Sequence, residues 1–345
     1  CGAAGVHHPL GIPAVSICLT VLSCPPWAIS ETQTRTGELV LPIMKPLDSG
    51  LYSPAINSID LGVIEIRFYA LFILTGMVVA VIVMGRRLRS RGFDSGAALS
   101  IALWAVPFGI IGARVYHVVT HPTDYFFEGA DLWKVFAIWE GGIAIFGAVL
   151  AGSIGLWIAA RQEKIGFLDA ADALAPGLLL AQAIGRMGNY VNQELFGTPT
   201  TLPWGLHIDS GNPAIPAGTP EGTLFHPLFL YELLWNLLGV AVIIAAERLW
   251  RARREPRASR GLALGLYLVW YGVGRAWFNT FRLDPTEFEL LGVKINVVTA
   301  VIAAIVGIIL VILVVAKRLP LPTEFAATAP ESTSGEAGNT STLTR

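Results

Sequence analysis

The chain has 345 residues, of which 54% are hydrophobic and 14% charged, with a mean hydropathy of +0.60. A soluble globular domain carries roughly 25% charged residues, so the deficit leaves too little polar surface for one and points to an all-α integral membrane protein. The 24 basic and 25 acidic residues give a net charge of −1, without the basic excess that a nucleic-acid partner requires. The cysteines are Cys1, Cys18 and Cys24, and no thiol follows. The apolar body therefore holds neither a cysteine nucleophile nor a thiolate metal site, and any thiol chemistry must use a partner's thiol.

In chain order, residues 1–58 read as an extramembrane extension. The run Leu10–Leu22 is too short to span a bilayer and lacks the basic flank of a signal peptide. Residues 1–43 are read as upstream sequence, with Met44-Lys45 near the natural start; a lipidated Cys1 is the alternative. Apolar windows of about 20 residues mark bilayer-crossing helices. They fall at 62–84, 96–119, 139–160, 170–189, 228–246, 261–281 and 294–316, within a seven-helix transmembrane domain over 59–318. The third, fourth and sixth are rich in Gly and Ala, with Gly261 and Gly265 as a small-residue pair suited to close packing. The stretch 190–226 reads as extramembrane, and 319–345 as a disordered cytoplasmic tail.

Sidedness follows from the basic residues of the loops. Arg86, Arg87, Arg89, Arg91, Arg161, Lys164, Arg248, Arg251, Arg253, Arg254, Arg257, Arg260, Lys317 and Arg318 fall on one side, against Lys134 and Arg282 on the other. The expectation is an outside N-terminus and a cytoplasmic C-terminus.

Charges inside spans are costly, and so point to function. Arg114, Arg186 and Arg275 each lie a few residues from the outer end of their helix, on the order of 5–10 Å below the surface. Tyr69, Glu140, Asn189, Asn192, Glu194, His226, Tyr231 and Glu232 fall at the same end, while the inner halves read as almost purely aliphatic. A guanidinium fork matches phosphate. Three at one depth read as a phospholipid headgroup site facing the outer leaflet; the plain alternative is that they pair with Glu140, Glu194 and Glu232. A one-sided polar pocket without internal repeats argues against a transporter.

The stretch Gly185-Arg186-Met187-Gly188-Asn189-Tyr190-Val191-Asn192-Gln193-Glu194-Leu195-Phe196-Gly197 resembles the G-R-x-G-N-F-x-N-x-E-x-x-G signature of bacterial phosphatidylglycerol–prolipoprotein diacylglyceryl transferases. Trp139-Glu140-Gly141-Gly142 is similar to that family's W-[DE]-G-G opening of a helix, and His226-Pro227 through Tyr231-Glu232 to its H-P-x-x-x-Y-E. Tyr271-Gly272-Val273-Gly274-Arg275, followed by Phe281-Arg282, is similar to its Y-G-x-x-R…F-R. The resemblance covers about residues 55–318. It implies transfer of the diacylglyceryl group of phosphatidylglycerol to the lipobox cysteine of a prolipoprotein signal peptide, releasing glycerol phosphate, with no cofactor or metal. It also implies that Arg186 and Arg275 bind the lipid together with Gly197 and Arg282, and that Tyr69, Asn189, Glu194, Glu232, Tyr271 and His226 serve catalysis.

Two positions depart from that pattern. Phe146 stands where some members carry His, leaving His226, Glu140 or the lipid phosphate itself to take the thiol proton. Asn279 stands where some carry Glu. Gly272 and Gly274 read as packing glycines, since no third glycine and no strand accompany them. The readings in competition are a transporter or flippase for an anionic lipid, and a scaffold that holds phospholipid as a structural ligand.

Overall fold

The computed structural model describes residues 50–54, 57–60, 65–142, 144–253, 259–283, 289–290 and 293–316; the side chain of Glu140 lies outside this description. The chain divides into two units, 1–47 and 48–345. The first, with the upstream extension and Met44, lies outside the described residues, as do Arg254, Arg257, Lys317, Arg318 and the tail.

The second unit is mostly helical. Its long helices are α1 (Phe68–Ser90), α2 (Ala97–Thr120), α3 (Ile145–Gln162), α4 (Phe167–Asn192), α5 (Leu228–Arg253), α6 (Leu262–Phe278) and α7 (Ile295–Val315). Six of them are long and apolar enough to cross a membrane; α6, with 17 residues, falls just short of that length. Lipid tails give helices no hydrophobic reason to associate, so close backbone approach at small residues must do it. In the α2–α3 hairpin the backbones of Gly112 and Gly147 meet, and a Cβ on Gly155 would lie 2.7 Å from the carbonyl of Trp104. Between α1 and α4, Gly76 meets Ala181 and Gly177 meets Ala80, with equivalent distances of 3.0 Å. On α6, Gly265 abuts Gly307 of α7, and Gly272 abuts Ala300 and Ala304. Gly272 is thus a packing residue, as expected. Gly261 is not: it takes a positive φ of 86° as the N-cap of α6.

Short strands join the ends of the helices. β1 (Leu51–Tyr52), β4 (Pro199–Thr200), β5 (Leu206–His207) and β6 (Leu224–Phe225) form a sheet in the order β1-β5-β6-β4, with β1 parallel to β5 and the other pairs antiparallel. Phe196, Leu206, Phe225 and Phe229 fill the space beneath it, and Tyr190 of α4 stacks on Phe229 of α5 at 4.4 Å. β2 (Ser58–Asp60) and β3 (Glu65–Arg67) form a hairpin before α1, and β7 (Glu289–Leu290) and β8 (Val293–Lys294) another before α7.

Several expected boundaries move. The first span starts at Phe68 rather than 62, because β3 takes the residues before it. It also continues through Arg86, Arg87 and Arg89, and α5 through Arg248 and Arg251, where loops were expected. The cause is ionic. Glu247, 2% exposed, pairs with Arg87 at 2.7 Å and Arg91 at 2.9 Å, so these arginines end inside the bundle. The third span starts at Ile145, because Gly141 and Gly142 take φ of 92° and 69°, which a helix cannot hold. Trp139-Glu140 therefore ends a 3-10 turn (Ile138–Glu140) and does not open the helix.

The inner halves are not purely aliphatic either. Asp172 of α4 is fully buried. Its carboxylate accepts from the backbone N–H of Gly261 at 2.7 Å and of Leu264 at 2.8 Å, capping α6 from another helix, and lies 3.7 Å from Arg91. Replacing Asp172 by Ala strands both amides and leaves Arg91 with Glu247 as its one carboxylate. Thermal unfolding in detergent should then show a loss of about 3 kcal/mol, with a smaller loss for Asp172→Asn, which keeps one acceptor.

Candidate active site

The last turns of α4 and the first turn of α5 meet beneath the sheet. Arg186 and Asn189, three residues apart on α4, share a helix face, and the Arg186 guanidinium donates to Asn189 Oδ1 at 3.1 Å. Its other terminal nitrogen pairs with the Glu232 carboxylate on α5. Glu232 and Asn189 are each 7% exposed, whereas the Arg186 side chain keeps 20% of its surface open. Arg275, near the end of α6, lies within electrostatic range of Arg282, Tyr271, Glu232 and Arg186. Two guanidiniums, Arg186 and Arg275, thus gather around one carboxylate, with Arg282 near Arg275. The arrangement can hold an anion bearing several oxygens.

Backbone bonds stitch the quoted stretches together. Gly197 donates to the carbonyl of His226 at 2.9 Å and His226 to that of Thr198 at 3.0 Å. Thr198 donates to Phe281 at 3.0 Å, and Gly197 bridges Arg282. A Cβ on Gly197 would lie 2.8 Å from Cβ of His226, so glycine is required where these segments cross. Tyr69, 37% exposed, packs one ring face on Gly188, whose added Cβ would lie 2.6 Å from the ring. It therefore belongs to the α1–α4 contact beside Asn189 as well as to the helix end. Tyr271 stacks on Tyr267 at 6.1 Å. The half-buried His226 places Nδ1 at 3.3 Å from the Tyr231 hydroxyl, which accepts from Trp204 at 3.0 Å.

Two sequence expectations are corrected here. Glu194 does not join the arginines: it is exposed, in the turn after α4, and accepts from Asn192 at 3.2 Å. Among the described residues Arg114 is bound by backbone carbonyls rather than by a carboxylate, and it stands apart from the other two arginines' site. It is 7% exposed and donates to the carbonyls of Val135 at 2.8 Å, Gly141 at 2.7 Å, Gly142 at 3.2 Å, and Lys134. Its guanidinium also lies over the ring of Tyr125 at 5.0 Å. Matching depth was a poor guide, because backbone carbonyls satisfy a guanidinium as fully as a phosphate does.

One device went unread. Trp235 of α5 and Trp270 of α6 stack at 4.3 Å, and each indole N–H donates to the other residue's carbonyl, at 3.3 and 3.0 Å. Each ring occupies the space left by a glycine four residues beyond the other tryptophan. A Cβ on Gly239 would lie 2.5 Å from Trp270, and one on Gly274 would strike Trp235. The signal was present as W-x-x-x-G, once in each helix. It clamps the helix that carries Glu232 to the one that carries Arg275.

A sequence profile described as prolipoprotein diacylglyceryl transferase matches residues 56–313. The chain belongs to that family. It is 56% identical over 252 residues to the phosphatidylglycerol–prolipoprotein diacylglyceryl transferase of Leifsonia xyli subsp. xyli, covering 71% of this chain and 74% of that one. It is 43% identical over 306 residues to the protein of the same name in Frankia alni, covering 85% and 78%. To phosphatidylglycerol–prolipoprotein diacylglyceryl transferase 2 of Streptomyces coelicolor it is 44% identical over 270 residues, covering 78% and 82%.

Within this diacylglyceryl transferase fold, Arg114 acts as a strut for residues 134–142. Because it binds the Lys134 carbonyl, the bond a tryptic protease must cut after Lys134 is held shut. Arg114→Lys, which cannot reach four carbonyls, should make Lys134–Val135 an early tryptic site in detergent; cleavage unchanged from wild type would show that other contacts hold the segment.

Proposed function

We propose that this chain transfers the diacylglyceryl group of phosphatidylglycerol to the lipobox cysteine thiol of a prolipoprotein, releasing glycerol phosphate. The observation that carries this reading is the grouping of Arg186 and Arg275 around the single carboxylate of Glu232, with Arg282 near Arg275. It accords with family membership and with a body whose only cysteines precede residue 25.

In this reading the cysteine sulfur attacks the glyceryl carbon that bears the phosphate. The carbon–sulfur bond forms as the carbon–oxygen bond breaks, the electron pair leaves with the phosphate oxygen, and the thiol proton ends on the departing glycerol phosphate. Charge then builds on that oxygen, so preorganised guanidiniums supply the main stabilisation. Arg186 and Arg275 hold the phosphate, with Arg282 adding to the field. Glu232 and Asn189 fix the plane of Arg186. Gly197 lets the segments that carry His226 and Arg282 approach, and Tyr69 and Tyr271 flank the lipid. His226 is a candidate to receive the thiol proton. The exposed Glu194 acts at the mouth, where a signal peptide would arrive.

We infer further that α6 completes a seven-span topology. Its 17 residues cover about 25 Å, and Arg260, just before its cap at Gly261, pairs with Asp169 at 2.8 Å. The arginine-rich helix ends then face the cytoplasm, the N-terminus lies outside, and the site opens to the outer leaflet of the cytoplasmic membrane.

The test is to combine purified protein, phosphatidylglycerol and a lipobox peptide and to follow the peptide's mass. A gain of one diacylglyceryl group is expected, and its absence would sink the reading in favour of a lipid carrier or scaffold. Arg186→Ala should abolish the gain while the protein remains folded. Arg186→Lys should lose about 100-fold or more, because an ammonium cannot serve Glu232, Asn189 and a phosphate together.

The pH profile separates the routes for the proton. A free thiol has a pKa of about 8.5, and its thiolate is the nucleophile, so the rate should climb between about pH 7 and 8.5. Lowering the peptide's thiol pKa should shift the profile down with it, in wild type and in His226→Gln alike. A profile indifferent to the peptide thiol but moved by His226→Gln would make the histidine the base.

A further inference from the structure

Below the arginine cluster the helix faces stay polar for one more turn. Gln182 precedes Arg186 by four residues on α4, and Tyr267 precedes Tyr271 by four on α6, so each lies on the same face as the residue above it. The Gln182 side-chain amide donates to the Tyr267 hydroxyl at 3.0 Å, and Tyr267 stacks beneath Tyr271 at 6.1 Å. Both residues are only half-buried. Among the described residues this is the hydrogen bond the pair makes, so the hydroxyl proton of Tyr267 and the second amide proton of Gln182 remain to be given away. At that depth an unmade donor costs free energy, since lipid offers no water to take it.

We propose that Gln182 and Tyr267 form a second subsite, which binds an ester carbonyl of the diacylglyceryl group. Four residues along a helix advance about 6 Å, the order of distance by which the ester carbonyls of a glycerophospholipid lie below its phosphate. Gln182 lies that far below Arg186 and Tyr267 meets it there, so a phosphate held at Arg186 hangs the glyceryl esters at the level of this pair. The chemistry matches: these are neutral donors for a neutral acceptor, and they do not compete with the guanidiniums for the anion. A second anchor along the lipid also fixes the glyceryl carbon between the two, which limits its rotation as the thiol approaches. The inference rests on the transferase reading and deepens it.

The experiment crosses enzyme with donor. Diester phosphatidylglycerol is compared with its dialkyl ether analogue, which keeps the scissile carbon–oxygen bond and lacks both carbonyls. For the wild type, kcat/KM for the ester should exceed that for the ether about five- to tenfold, the worth of one good hydrogen bond. In Gln182→Leu and in Tyr267→Phe that ratio should fall toward one. Because the ratio is taken within each preparation, a partly unfolded variant does not distort it. A wild-type ratio near one, or a ratio unchanged in both variants, would overturn the subsite. Failure of the wild type to modify the peptide from either donor would instead overturn the transferase reading, and this inference with it.

Discussion

Glu232 is the contact on which the site depends. Guanidiniums stay charged at any depth, and their mutual repulsion grows as water is removed. Arg186 and Arg275 can stand close at the top of an apolar bundle only because a buried carboxylate on a third helix stands near both. That carboxylate ties α5 to α4 directly and draws α6 toward them. The backbone crossing at Gly197 then needs only to keep the extramembrane segments from prising these helix ends apart. Among the described residues one acid faces both Arg186 and Arg275, and the charge left over is what a phosphate can use.

The opposite end of the bundle shows the same chemistry drawn into a closer network. Arg87, Arg91 and Arg251 meet Glu247 and Asp172, and the remaining lone pairs of Asp172 go to the backbone amides at the start of α6. Both acids of this network, Glu247 and Asp172, are buried. It holds α1, α4, α5 and α6 in register from below, so that the unbalanced end can be rigid without being self-satisfied. Buried ion pairs of this kind are weak contributors to net stability but costly to break singly, which suits a part whose task is alignment.

Much of this was legible in the amino-acid order. The seven helices announced themselves through hydropathy, and Arg186, Asn189 and Glu232 through their improbable depth and the stretches around them. The errors have physical causes. Arg87 looked like a helix terminator because hydropathy counts a charge without its partner, and its acid, Glu247, is 160 residues away. Arg114 looked like a headgroup ligand because depth says nothing of carbonyls folding back from another segment. The sheet passed unseen because strands of two or three residues carry no periodicity. Gln182 and Tyr267 vanished among aliphatic neighbours, since neither bears a charge and their meeting requires α4 and α6 to be side by side.

The paired W-x-x-x-G clamp has a consequence for how these helices can change over time. Each indole fills a volume that exists only because position 239 or 274 lacks a side chain, and each ring's N–H is spent on the carbonyl of the other tryptophan. The four positions therefore share a single allotment of space across the α5–α6 seam. Enlarging either glycine evicts the ring that faces it, and shrinking either tryptophan leaves a void beside a bare glycine. A viable sequence can depart from this arrangement only by changing both sides together, so positions 235, 239, 270 and 274 should vary as one character among relatives, whatever lipid those relatives handle.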